Sequence, residues 1–207
     1  RHVCIRRRQE ADERLESSRR IYKFNDETGK ITLVDMLRCE LESAPRIIKF
    51  SPDGRFAYLI CELKNYISVY TYKDGARGPV FELVQTISTL NEYHSKGSAA
   101  CVLRFSRDWN YVLCSNAGDN SVGIFKIDRE TGMLEKICIL PVSGDYPKAA
   151  DFFPDNRHIM ALNHESNTMT IFRINYEKKY FSLWGKPLKV ETPNCVLVSE
   201  IEEAPKQ

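Results

Sequence analysis

Short runs of β-branched and aromatic residues alternate with polar breaks along most of the chain. Between positions 46 and 72 this pattern predicts three strands, at residues 46–50, 56–60 and 66–72. The first two are joined by Ser51-Pro52-Asp53-Gly54, whose residue types favour a tight turn. A fourth apolar run, at residues 81–88, completes the unit. The pattern therefore predicts four antiparallel strands, with no helical periodicity between them.

The same unit recurs further along the chain. The next copy predicts strands at 102–105, 111–115, 121–128 and 133–140, and the one after it at 148–152, 158–162, 168–175 and 181–188. An aromatic residue marks the same position of the third strand in each copy: Tyr22, Tyr70, Phe125 and Phe172. By subtraction these lie 48, 55 and 47 residues apart, the middle interval being lengthened by a polar insertion at 89–96. A repeat of this length with about four strands is typical of a β-propeller blade.

The repeat predicts an all-β fold, a partial β-propeller of about four blades over residues 21–199. We expect residues 1–20, which are rich in arginine, to be a basic and poorly ordered segment, and residues 200–207 to be a polar tail. Residues 196–199 predict one more strand without a blade of its own. Because propellers avoid open sheet edges by closing into a ring, we expect these blades to belong to a larger ring.

Composition and charge narrow the possible partners. The chain has 207 residues, 43% of them hydrophobic, and a net charge of +2, which is too weak a field to indicate a nucleic acid or a membrane surface. No apolar run approaches the roughly 20 residues of a membrane helix. The seven cysteines never occur as Cys-x-x-Cys, which predicts reduced thiols in a cytoplasmic protein and no metal site.

One rim of the predicted ring collects the polar residues that have useful chemistry. In an antiparallel pair the start of the innermost strand lies beside the end of the second strand, so both reach the same rim. This rim is predicted to include Arg46, Ile47 and Glu62 from one blade, Cys101, Asn116, Ala117 and Asp119 from the next, and Lys148, Asn163, His164 and Glu165 from the third. Polar groups that converge on one mouth indicate a ligand site. The alternative is that they are solvated turn residues.

Several motifs, taken in order, resemble the seven-bladed lactonase family. They include Pro45-Arg46-x-x-x-Phe50-Ser-Pro-Asp-Gly, Ser115-Asn116-x-Gly118, Gly144-x-x-Pro147, Asn163-x-x-Ser166 and Pro193-x-Cys195-Val196. This family includes the propeller-type 6-phosphogluconolactonase and the carboxy-muconate cyclase. The resemblance covers residues 20–199 and implies a C-terminal fragment or divergent member, with roughly three blades outside this chain. It also implies a small anionic lactone as substrate and no cofactor.

The departures from the family pattern fall in the predicted site. The family has His after Pro-Arg, where this chain has Ile47, and a carboxylate where it has Cys101. An Arg and a His of the family are replaced by Ala117 and Asp119, and a further Arg is replaced by Lys148. Lysine keeps the charge of arginine but not its planar, bidentate geometry.

The resemblance implies roles for the residues that remain. Glu62 would be the catalytic base. His164 stands where the family has Gln, and its own chemistry makes it a candidate replacement base, because histidine exchanges its proton near neutral pH. Arg46 and Lys148 would bind the anion of the substrate. Asn116 and Asn163 would be further substrate-binding residues. The alternative for Glu62 is a structural pair with Arg46, and the alternative for His164 is an exposed loop residue.

These roles lead to competing hypotheses about function. The first is hydrolysis of a sugar lactone in carbohydrate metabolism, with 6-phosphogluconolactone as the typical substrate of the family. The second is a catalytically degenerate propeller that binds a small anion or a protein. A third, cycloisomerisation of a muconate, is less favoured because it also needs the missing basic groups.

Overall fold

The computed structural model describes the backbone of residues 2–6 and all of residues 17–75, 78–92 and 97–199. Those residues form strands and turns, with no helix among them. The strands are β1 His2–Arg6, β2 Ser18–Phe24, β3 Ile31–Arg38, β4 Pro45–Phe50, β5 Phe56–Cys61, β6 Tyr66–Gly75, β7 Gly78–Ser88, β8 Ala100–Phe105, β9 Tyr111–Asn116, β10 Ser121–Ile127, β11 Leu134–Pro141, β12 Pro147–Phe152, β13 His158–Asn163, β14 Thr168–Asn175, β15 Tyr180–Leu183 and β16 Leu188–Lys189.

Consecutive strands pair antiparallel into four separate sheets. The first sheet is β1–β2–β3, the second β4–β5–β6–β7 and the third β8–β9–β10–β11. The fourth is β12–β13–β14–β15, with β16 also paired to β14. The inner strands of the second, third and fourth sheets, β4, β8 and β12, lie next to one another in that order. This arrangement confirms the predicted all-β fold and the partial propeller.

Equivalent positions in the sheets have the same irregularity. The pairing of the third and outer strands is interrupted by a bulge immediately before Tyr22, Tyr70 and Phe125. These are three of the four aromatic positions from which the repeat is predicted. Asn65, Asn120 and Asn167 also take the same left-handed conformation, with φ of 51°, 52° and 54°, in the turn after the second strand. Asparagine tolerates this conformation better than most residues.

Apolar side chains fill each space between neighbouring sheets. Ile21, Leu59 and Tyr70 belong to the cluster between the first and second sheets. Separate clusters lie between the second and third sheets and between the third and fourth sheets. All six residues of β5 are buried, because both faces of the second sheet are covered. Burial on both faces explains why the second strands are almost continuously apolar rather than alternating.

The structure corrects two strand predictions near the C-terminus. Residues 181–188 form two short strands, β15 and β16, separated by a loop in which Gly185 has a φ of 80°. Residues 196–199, predicted as a strand, are not in one. An apolar run becomes a strand only where a neighbour supplies hydrogen-bond partners, and this segment pairs with none of the described strands.

The first sheet begins earlier than the sequence predicts. Ser18–Phe24 form β2, and His2–Arg6 pair with it as β1, so the sheet extends into the segment that we expected to lie outside the propeller. The predictions for residues 7–16, for the tail at 200–207 and for the central part of the insertion at 93–96, which contains His94, lie outside the described residues.

Two glycines at the same position of the repeat allow a test of packing between sheets. Gly29 and Gly132 both have a positive φ, of 67° and 74°. Each lies in the connection between the third and the outer strand of its sheet. A Cβ at Gly29 would meet nothing within 4 Å, but one at Gly132 would lie 2.4 Å from the ring of Phe56 in the neighbouring sheet. Tyr58 also donates a hydrogen bond to the Gly132 carbonyl, at 2.9 Å.

We predict that Gly132→Ala lowers the free energy of unfolding by about 1–3 kcal/mol more than Gly29→Ala, because only the former overpacks an interface. Both variants carry the same backbone strain, so their difference measures the contact between sheets. Chemical denaturation of the two variants gives this difference, and equal losses of stability would contradict the packing of Phe56 on this turn.

Candidate functional site at one rim of the inner strands

The three inner strands each contain a bulge at their second residue. The pairing with the second strand steps over one residue near the start of β4, β8 and β12. The residues stepped over are Arg46, Cys101 and Lys148. A bulge breaks the alternation of a strand and redirects a side chain, and bulges are common beside functional sites. The same distortion therefore presents one residue from each of three sheets at the same rim.

The ends of the second strands meet these bulges. The backbone N–H groups of Glu62, Ala117 and His164 each donate to the carbonyl two residues before the bulge of the same sheet. The distances are 2.9 Å to Ala44, 2.8 Å to Ala99 and 3.0 Å to Tyr146. These hydrogen bonds place Glu62 beside Arg46, and His164 beside Lys148, at the rim that the sequence predicts for them.

Arg46 and Glu62 form an ion pair within the second sheet. The guanidinium Nη1 lies 2.7 Å from the carboxylate Oε1, and the two side chains are 34% and 19% exposed. The structural alternative considered for Glu62 is thus present in the molecule. Because a guanidinium has five N–H donors, Arg46 can hold Glu62 and still offer donors to a second anion.

Cys101 lies between the charged groups of the neighbouring sheets. It is buried, and its thiol contacts the Ala99 carbonyl at 3.4 Å. Burial raises the pKa of this thiol, and the charges of Arg46, Glu62 and Lys148 all act on that pKa as well. This buried thiol stands at the position where the family pattern has a carboxylate.

The Tyr146 ring lies close to both Lys148 and His164, and the sequence analysis did not identify it as a site residue. The Lys148 Nζ lies 5.6 Å from the centroid of the Tyr146 ring, within cation–π range. The Tyr146 and His164 ring centroids are 6.5 Å apart, and His164 Nδ1 lies 3.3 Å from the Pro193 carbonyl. Tyr146 directly precedes the proline of the Gly144-x-x-Pro147 motif. Its place in this motif is the sequence signal that could have identified it.

The two asparagines predicted to bind substrate are fully buried. The Asn116 amide donates to the Thr89 carbonyl at 2.8 Å, and the Asn163 amide donates to the Thr168 and Thr170 hydroxyls at 3.1 and 3.2 Å. Both side chains hold the loops that form the rim. Their direct contact with substrate stays a prediction, and this geometry favours a supporting role instead.

Two of the positions that lack the family's basic groups are apolar and packed. Ile47 contacts the cluster between the second and third sheets, and Ala117 is fully buried. Among the described residues, no group of three or more His, Cys, Asp or Glu side chains is placed to hold a metal ion. In the same part of the chain, no helix has the length and apolar character of a membrane span.

Comparison with known proteins agrees with this architecture. The family described as "Lactonase, 7-bladed beta-propeller" matches residues 18–198. The chain belongs to this lactonase family. A 6-phosphogluconolactonase of Bacillus subtilis is 23% identical over 177 residues, which are 86% of this chain and 50% of that protein. An uncharacterized protein of Lactococcus lactis subsp. cremoris is 31% identical over 169 residues, 82% of this chain and 49% of its own length.

Solved structures of other proteins share the fold. A protein from Lactobacillus plantarum superposes with a TM-score of 0.76 at 25% identity, over 85% of this chain and 50% of that one. A periplasmic gluconolactonase of Pseudomonas aeruginosa superposes with a TM-score of 0.77 at 23% identity, over 86% of this chain and 50% of that one. The chain thus spans about half the length of the lactonase relatives it matches.

We predict that Asn163→Ala lowers the free energy of unfolding by about 1–3 kcal/mol, because it removes a buried hydrogen-bonding group. The matched control is Asn194→Ala, at an exposed asparagine with one hydrogen bond, to the Thr192 carbonyl at 3.2 Å. Urea denaturation measures both variants. Unchanged stability of Asn163→Ala together with weaker ligand binding would instead support the original prediction of a substrate contact.

Proposed function

We propose that the protein hydrolyses a small anionic sugar lactone, and that 6-phosphogluconolactone is the first substrate to test. The observation that supports this proposal is that equivalent bulges present Arg46 and Lys148 at the same rim of two sheets, with Glu62 2.7 Å from Arg46. Membership of the lactonase family and the similarity to a 6-phosphogluconolactonase favour the same reaction class. A location in the cytoplasm stays a prediction from the sequence.

Anchoring of the substrate's charge would depend first on Lys148. Among the described residues no carboxylate pairs with this ammonium group, which lies over the face of the Tyr146 ring. A phosphate or carboxylate on the substrate would supply the missing counter-charge. Arg46 would assist from the second sheet, since a guanidinium paired with one carboxylate keeps further N–H donors for a second anion.

Activation of water requires a base, and two residues are available. Glu62 would accept a proton from water, while Arg46 stabilises the negative charge that develops on the lactone carbonyl oxygen. The 2.7 Å ion pair keeps these two groups together before substrate binds. His164, held near Tyr146 and Lys148, is the alternative base on the opposite side of Cys101.

A second function, binding of a small anion without turnover, is favoured by a different observation. Glu62 is already engaged by Arg46, and two of the family's basic positions are occupied by Ile47 and Ala117, which pack into the interior. A site with an anchor for anions but a weakened catalytic set would bind the lactone or its acid and release it unchanged.

We predict that Lys148→Ala raises the KM for 6-phosphogluconolactone about tenfold or more, because a charged hydrogen bond contributes about 1.5–3 kcal/mol. The measurement uses the full gene product, with spontaneous hydrolysis subtracted. Lys178→Ala, at an exposed lysine of the β14–β15 turn, is the control and should behave as wild type. An unchanged KM in Lys148→Ala would remove this anchor.

We predict that Glu62→Gln lowers kcat about 100-fold or more, as expected for loss of a general base. Glu177→Gln, at an exposed carboxylate in the β14–β15 turn, should leave kcat unchanged. If Glu62→Gln retains activity and His164→Gln loses it, the base is His164. If the wild-type rate equals that of buffer while isothermal titration shows binding of 6-phosphogluconate, the protein is a binding module.

A further inference from the structure

A cavity of about 420 Å³ lies between the second and third sheets, at the end of the inner strands opposite the candidate site. It is lined by the β4–β5 turn at residues 51–55 and by two turns of the third sheet, around Trp109 and Arg129. Arg46 lies at the start of β4, whereas the β4–β5 turn follows the end of that strand, so the cavity and the candidate site are at different rims. A volume of this size is in the range of small-molecule pockets.

Packing between the sheets fixes the apolar wall of the cavity. Phe56 and Tyr58 both line the cavity and are buried in the cluster between the second and third sheets. The Tyr58 hydroxyl donates to the Gly132 carbonyl across this interface, at 2.9 Å. This wall is therefore held by contacts within the protein and needs no ligand to form.

Trp109 has a backbone conformation that its residue type disfavours. It lies in the β8–β9 turn with a φ of 55°, at the position that Gly54 and Asn156 occupy in the neighbouring sheets, with φ of 71° and 54°. Glycine and asparagine tolerate this left-handed region, but a bulky side chain there is an outlier. Such outliers are concentrated at active sites and ligand clamps. The tryptophan therefore indicates a role beyond the turn itself.

The indole of Trp109 is held in a fixed orientation. It stacks on the Phe105 ring, with the ring centroids 4.3 Å apart and an angle of 25° between the two planes. The Trp109 side chain is only half-buried, and it also lines the cavity. An indole that is already in position gives the flat ring of a ligand a surface on which to stack.

Two guanidinium groups lie at the same cavity. Arg55 forms an ion pair with Asp53, Nε to Oδ2 at 2.6 Å, and its Nη2 donates to the Arg129 carbonyl at 2.7 Å. The Arg129 side chain donates to the Asp108 carbonyl, and no carboxylate of the described residues forms an ion pair with it. Because a guanidinium has five N–H donors, Arg129 keeps donors for a phosphate.

Asp108, the second carboxylate at the cavity, is used within its own turn. It accepts hydrogen bonds from the Ser106 hydroxyl at 2.6 Å and from the backbone and side-chain amides of Asn110 at 3.1 and 2.8 Å. The acceptors of Asp108 are thus engaged inside the protein, whereas Arg129 still has donors to offer a ligand.

We propose that this cavity is a second binding site, for a small molecule that joins a flat ring to a phosphate group, as a mononucleotide does. The ring would stack on Trp109, and the phosphate would accept hydrogen bonds from Arg129 and Arg55. None of these residues belongs to the candidate lactone site. Binding at the cavity is therefore independent of the proposed hydrolysis.

The test is isothermal titration calorimetry of the full gene product with adenosine monophosphate (AMP). We expect saturable binding of AMP and at least tenfold weaker binding of adenosine and of ribose 5-phosphate, each of which lacks one of the two recognised groups. The absence of AMP binding, or equal binding of AMP and ribose 5-phosphate, would overturn the proposal.

Two variants at the cavity and one control locate the binding. Arg129→Ala and Trp109→Asn should each weaken AMP binding about tenfold or more. The fold should persist in Trp109→Asn, checked by circular dichroism, because Asn156 holds this conformation in the fourth sheet. Arg157→Ala, at the exposed counterpart of Arg55 in the fourth sheet, should bind AMP as the wild type does. Unchanged affinity in both cavity variants would overturn the proposal.

A variant at the other rim separates this site from the candidate lactone site. Lys148→Ala should retain AMP binding, since Lys148 is not near the cavity. Loss of AMP binding in Lys148→Ala, with binding retained in Arg129→Ala, would assign AMP to the lactone site and contradict the second site. The measurement records binding and not turnover, so it gives the same answer whether or not the protein hydrolyses a lactone.

Discussion

The structure depends on covering both faces of the second and third sheets with the neighbouring sheets. The second strands carry apolar side chains on both faces, as in β5, where every residue is buried. Such a sheet cannot leave one face in water without exposing a large apolar area, so the sheets must stack face to face. Stacking brings β4, β8 and β12 side by side, and the candidate site is a consequence of that convergence.

The bulges in the inner strands allow the same strands to pack in the interior and to present other side chains at the rim. A regular strand at these positions would continue the alternation that directs Ile47 into the cluster between sheets. The extra residue at Arg46, Cys101 and Lys148 interrupts this alternation at the rim and leaves the packed positions unchanged. Charged groups therefore lie at the rim while apolar groups remain inside. The equivalent position of the third sheet holds the buried thiol of Cys101.

Local residue chemistry explains which parts of the fold were predictable. Strand composition, the Ser-Pro-Asp-Gly turn and the aromatic repeat are set by neighbours in the chain, and the predicted strands of the second and third sheets agree with the structure to within a few residues. The outer strand of the fourth sheet was less predictable because the turn at Gly185 divides it. Residues 196–199 have the composition of a strand, but composition does not supply a partner.

The candidate site was predictable in its location but not in the state of its groups. The order of strands indicates which loops share a rim, so Arg46, Glu62, Lys148 and His164 could be placed there from the sequence. The interaction partners of these residues could not be predicted, because an ion pair or a cation–π contact depends on side-chain distances of a few ångströms. Burial likewise separates Asn116 and Asn163, which support the loops, from residues that face the rim.

The sequence by itself determined the all-β class, the repeating unit and the set of residues near the rim, because these follow from residue types and their spacing. Only the tertiary structure decided that Glu62 is paired with Arg46 and that the Tyr146 ring lies close to both Lys148 and His164. The Arg46–Glu62 and Tyr146–His164 contacts join the start of an inner strand to the end of the second strand of the same sheet, and they exist only once those strands have paired.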